Sequence, residues 1–132
     1  MSQATGSFDV TLKPLQLDDT PGREGLGRMS IDKQYHGELE ATSKGEMLTG
    51  GTAIKNSAGY VAVERVTGTL KGRKGTFILQ HNGIMNRGSG SLTITVIPDS
   101  GTDQLDGIRG TMAIRIEGGK HFYDLTYTLG IA

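Results

Sequence analysis

Apolar residues recur at every second position in one segment after another of this chain, and no window carries a convincing helical stripe. A two-residue period is the one by which a strand buries a single face, so it points to β-structure throughout. The first run is Phe8, Val10 and Leu12, broken near Pro14 and closed by the turn-rich Asp18-Asp19-Thr20-Pro21-Gly22. The second puts Met29, Ile31 and Tyr35 on one face, with Ser30, Asp32, Gln34 and His36 opposite. A third passes through Leu39, Ala41 and Met47, and a short piece around Thr52 to Ile54 reads as a further strand or strand edge. Then come Tyr60 to Leu70, Thr76 to His81, Leu92 to Ile97, Ile108 to Ile116 and His121 to Leu129. Short loops between such runs describe an all-β, antiparallel, up-and-down meander. Eight strands are enough to close a barrel whose interior suits side chains or one small ligand. Residues 1–132 are read as a single β-barrel domain, a length that supports a core without staples.

Two hairpins can be registered from the residues alone. Gly118-Gly119 reads as a two-residue loop, because both glycines readily take positive φ. Pairing Glu117 with Lys120 sets Ile116 opposite His121, Ile114 opposite Tyr123, Met112 opposite Leu125 and Gly110 opposite Tyr127. The other hairpin is expected to turn within Gly72-Arg73-Lys74-Gly75, pairing Leu70 with Phe77, Gly68 with Leu79 and Val66 with His81. An even-length loop is required there, since an odd one puts Phe77 on the wrong face. By the same parity Glu64, in line with Tyr60, Ala62 and Val66, points inward, and His81 lies diagonally across from it. Asn82 to Ser91 stays open: Asn82-Gly83 is either a bulge in a strand running through Met85 or the hairpin turn itself.

Composition narrows the function classes. The 21 glycines are about twice the usual ~7% share, which suits tight turns and bent strands. The absence of cysteine removes disulfides, thiolate metal sites and cysteine nucleophiles, and favours a reducing compartment. Lys+Arg and Asp+Glu both number 14, so no net field attracts nucleic acid or an anionic membrane. No apolar run approaches the roughly 20 residues of a membrane helix. The polar start, Met1 to Phe8, lacks the pattern of a signal peptide. A soluble cytoplasmic protein is expected, without nucleic-acid or membrane partners.

The stretch Gly59-Tyr60-Val61-Ala62-Val63-Glu64-Arg65-Val66-Thr67-Gly68-Thr69-Leu70, continuing through Gly72-Arg73-Lys74-Gly75-Thr76-Phe77-Ile78-Leu79-Gln80-His81, resembles a family of small bacterial proteins known only as a domain of unknown function. So do Val96-Ile97-Pro98-Asp99-Ser100-Gly101-Thr102, Ile108-Arg109-Gly110-Thr111-Met112 and Gly119-Lys120-His121-Phe122-Tyr123. The likeness covers nearly the whole chain and implies a closed eight-stranded barrel similar to allene oxide cyclase and, more distantly, to dirigent proteins. Plant allene oxide cyclases hold an unsaturated lipid epoxide in an apolar barrel and steer its ring closure with few polar groups, one of them a glutamate. Their catalytic motif does not map onto this shorter chain, so the resemblance implies a fold and carries over no catalytic residue.

Glu64 and His81 are the candidate catalytic pair. A carboxylate inside an apolar barrel is disfavoured as a charge unless a partner stabilises it; beside an imidazole it can act as base or acid, or orient the ring. The plainer reading is a hydrogen-bonded pair that fixes the sheet, joined by Arg65 or a backbone amide. Tyr60, His121, Tyr123 and Tyr127 are candidate ligand contacts; the tyrosines, and Tyr35 with them, are weighed against simple packing with the hydroxyl satisfied, and His121, beside the turn and near a rim, against plain solvation. His36, His81 and His121 lie on different strands with no short-spaced ligand motif, so no metal is expected. The glycine clusters lack Rossmann or phosphate-loop spacing, and no Gly-x-Ser-x-Gly elbow is present. The leading expectation is a barrel that binds a small apolar molecule without a cofactor. Alternatives are a cofactor-independent isomerase or cyclase using the same cavity, and a solid barrel acting as a homo-oligomeric interaction module.

Overall fold

Alternating burial along each strand shows why the sheet closes. The computed structural model describes residues 1–18 and 20–130, so Asp19 of the first turn cluster lies outside the described residues. The strands are β1 (Ser2–Leu15), β2 (Leu26–Gly37), β3 (Leu39–Gly51), β4 (Ala58–Leu70), β5 (Arg73–Asn86), β6 (Ser89–Val96), β7 (Arg109–Glu117) and β8 (Lys120–Thr128). Each pairs antiparallel with its sequence neighbour, and β1 pairs with β8 to close the barrel. The inward set is apolar almost throughout, with Ile31, Tyr35, Leu39, Ala41, Ala62, Val66, Phe77, Leu79, Ile94, Tyr123 and Leu125 buried. Closure satisfies both edges that an open sheet would present to solvent.

Tight turns set the register. Lys71-Gly72, Arg87-Gly88 and Gly118-Gly119 each place two successive residues at positive φ, the geometry that matches strand twist in two-residue hairpins. The β7–β8 register is the expected one, residue for residue. The β4–β5 hairpin departs from expectation: it turns at Lys71-Gly72, so Leu70 faces Arg73, Val66 faces Phe77, Glu64 faces Leu79 and Ala62 faces His81. The slip is an even number of residues, so every side chain keeps its predicted face. A lysine in the left-handed conformation, carried by the glycine after it, displaces the turn from the glycine-flanked tetrapeptide. β5 continues through Asn82-Gly83 to Asn86 in unbroken one-to-one register with both neighbours, so the longer strand is formed, without the bulge. Thr52 to Ile54 form no strand; they belong to the loop between β3 and β4, where Thr52 Oγ1 caps the turn through Ser57 O and Ile54 N.

The two ends of the barrel differ. The end with the β2–β3 and β4–β5 turns is filled by Leu39, Leu70 and Phe77, and by Leu105 and Ile108 from the β6–β7 connection. That connection includes a short 3-10 turn, Asp103–Leu105, and ties onto β5 through Thr102 N to Thr76 O and Lys74 N to Gln104 Oε1. At the opposite end the inward-facing Leu12, Met85, Leu92 and Ile116 remain exposed. The barrel is therefore packed at one end and open at the other. Among the described residues, no helix is long and apolar enough to cross a membrane.

Candidate functional site

Halfway along the interior, strands β2 to β5 deliver polar side chains to one carboxylate. Glu64 sits at 0% exposure on β4. Its Oε1 accepts hydrogen bonds from the Tyr35 hydroxyl at 2.6 Å and the Ser43 hydroxyl at 2.7 Å. Its Oε2 accepts from Lys33 Nζ at 2.8 Å and from His81 Nε2 at 2.6 Å. Lys33 also donates to the Tyr35 oxygen at 3.3 Å and lies 4.9 Å from the centre of the Phe8 ring. On the far side of the imidazole, His81 Nδ1 meets the Tyr60 hydroxyl at 3.1 Å. Every buried side-chain nitrogen and oxygen among the described residues has a partner.

Local backbone makes this convergence fit. Gly45 lies directly opposite Glu64, and a Cβ added there would come within 2.7 Å of Glu64 Cα. The missing side chain lets β3 and β4 close tightly around the carboxylate and keeps the neighbouring inward position clear. Gly83 plays a related part for Tyr60: the two residues are cross-strand partners, and a Cβ on Gly83 would stand 2.5 Å from Tyr60 Cε1. The tyrosine ring thus rests over bare backbone, a known way for a sheet to seat an aromatic.

Electrostatics follow from the donor count. Burial alone pushes the Glu64 carboxyl up. The His81 hydrogen bond, the charge and hydrogen bond of Lys33, and the Tyr35 hydrogen bond outweigh it and bring the group from 4.5 down to about 2. Glu64 is therefore ionised, and Lys33 balances its charge. Burial, with the Glu64 charge next, holds the Tyr60 phenol above its ordinary value, and the Tyr35 phenol well above. Both remain neutral hydroxyls. A carboxylate whose acceptor positions are all engaged orients its neighbours; it does not collect a proton from elsewhere.

The residues singled out by sequence separate cleanly. Glu64, His81 and Tyr60 come together, all on the inward face as parity implied; His81 is diagonal to Glu64, but as the cross-strand partner of Ala62 rather than of Val66 as expected. Arg65 points outward and is exposed, so it is no partner of the pair. Tyr123 serves the backbone: its oxygen accepts from Leu39 N at 2.9 Å, and its hydroxyl proton reaches His36 O or Leu39 O at 3.0 and 3.2 Å. Tyr127 is packed in the core, and the partly exposed His121 lies beside the Phe8 ring, 5.2 Å between centres. His36 is on the outer face with Asp9 and Glu40. Sequence reasoning missed Lys33 and Ser43. Both share the inward parity of their strands, Lys33 between Ile31 and Tyr35 and Ser43 between Ala41 and Gly45, so the alternation did carry the signal.

Beside the network, at the open end, lies an almost wholly apolar pocket of about 430 Å³. Met47, Tyr60, Gly83, Met85 and Leu92 line it, with Thr49 and Ser91 as further polar groups. Of the residues bonded around Glu64 and His81, Tyr60 is the one that reaches this pocket.

Comparison with known proteins agrees with this architecture. The family described as Protein of unknown function (DUF3224) matches residues 4–127. The crystal structure, at 1.84 Å resolution, of a protein with unknown function from the DUF3224 family of Shewanella oneidensis MR-1 superposes with a TM-score of 0.93. It is 51% identical, covering 100% of this chain and 99% of that one. Among curated proteins no significant match was found. A match over nearly the whole length, with the same closed barrel, places this chain in the DUF3224 family.

Proposed function

We propose that the open end of the barrel binds a small, largely apolar molecule, with the Glu64–His81–Tyr60 chain orienting it. The observation that carries this reading is the apolar pocket with a single buried polar network reaching it through Tyr60. Apolar walls supply affinity, and a few placed polar groups supply orientation, the usual division in small-molecule sites. The volume, about 430 Å³, falls within the ~300–1,000 Å³ common for such sites. Met85 and Leu92, at 42% and 44% exposure, leave apolar surface at the rim that a ligand would cover.

The test is fluorescence titration with Nile red, a neutral apolar dye. Saturable binding is expected for the wild type, with at least tenfold loss on Leu92→Lys, which sets a charge at the pocket wall without disturbing the core. Absence of saturable binding, or unchanged affinity in that variant, would remove the reading.

A further inference from the structure

We infer that the pocket selects ligands whose polar end is a hydroxyl, a hydrogen-bond donor, over carbonyl or carboxylate analogues of the same length. This rests on the binding reading above and deepens it by fixing the direction of the hydrogen bonds.

That direction propagates outward from Glu64. The ionised carboxylate can only accept, so His81 must donate to it through Nε2 at 2.6 Å. Lys33 already balances the carboxylate charge from 2.8 Å; a cationic imidazole on the same Oε2 would leave surplus positive charge in a shell where Lys33 is 8% and His81 3% exposed. With one proton on the ring, held at Nε2, Nδ1 carries a lone pair and accepts. The Tyr60 hydroxyl, 3.1 Å away, is its donor. The single phenolic proton of Tyr60 is thereby committed inward, and the phenol stays protonated because burial and the Glu64 charge both hold its proton on. What remains for the pocket is the oxygen lone pairs of Tyr60, an acceptor. A ligand hydroxyl completes the chain from ligand to Tyr60, His81 and Glu64, every link pointing the same way. A ketone or carboxylate brings a second acceptor against the first. Thr49, partly buried, and Ser91, exposed, also line the pocket, but a Ser or Thr hydroxyl can donate or accept and so favours neither class of ligand.

The experiment is displacement of Nile red at neutral pH by decanol, methyl octyl ketone and decanoate, on the wild type and on Tyr60→Phe. Decanol is expected to compete about tenfold more tightly than either analogue, from one well-formed hydrogen bond against an unpaired acceptor. In Tyr60→Phe, whose own dye affinity is measured first and serves as the reference for that variant, the preference for decanol is expected to collapse to within about twofold. A wild type that takes the ketone or the carboxylate as tightly as the alcohol overturns the inference, as does a Phe variant that keeps the full preference. Failure of the dye itself to bind strikes the binding reading instead, so the two failures are distinguishable.

Discussion

Replacing Glu64 by Gln is the perturbation that tests the interior most directly. The substitution keeps size and shape, leaves Lys33 in the barrel without its counter-charge, and puts an amide donor among groups that all donate. Two routes give its magnitude. Carboxyl titration falls from 4.5 to about 2 in the folded state, worth roughly 3 kcal/mol of stability at neutral pH by linkage. Breaking one partner of a buried ion pair costs about 3–5 kcal/mol in general. A loss of about 3 kcal/mol is a large part of the ~5–15 kcal/mol that holds a domain together. Because the folded value is depressed, the contribution is complete above 4.5 and is lost as pH falls toward 2. Urea unfolding of wild type and Glu64→Gln, repeated across that acid range, is the assay. The gap between them is expected to be constant near neutrality, to narrow below 4.5 and to close near 2. A gap under about 1 kcal/mol at neutral pH, or one that does not respond to acid, refutes the ion-pair account.

Two further substitutions probe how the site is held. Tyr123→Phe leaves the buried Leu39 N–H without its acceptor and is expected to cost about 1–3 kcal/mol in chemical denaturation; Nile red affinity should be unchanged, and a weakened affinity would mean that Tyr123 belongs to the pocket. Gly45→Ala drives a Cβ to 2.7 Å from Glu64 Cα, so backbone must move, and a loss of roughly 1–3 kcal/mol is expected. Thermal melts indistinguishable from wild type would show that β3 and β4 are less tightly apposed than the register implies.

What the sequence determined by itself is whatever depends on period and sign. Alternation specified strands, their number specified closure, and parity placed Glu64, His81 and Tyr60 inside, because a side-chain period of two survives any even error in register. That is why a β4–β5 turn expected a few residues too late still left the right groups facing inward. Tertiary structure decided height and neighbourhood. Lys71 and Arg87 in the left-handed conformation set the hairpins, and neither residue type advertises that conformation. Lys33 and Ser43 joined Glu64 from strands two and one away around the barrel, at a level fixed by the stagger of closure. Periodicity says whether a side chain points in or out, but not how far along the tube it stands. Meeting in a barrel depends on that second coordinate, which only the paired strands together define.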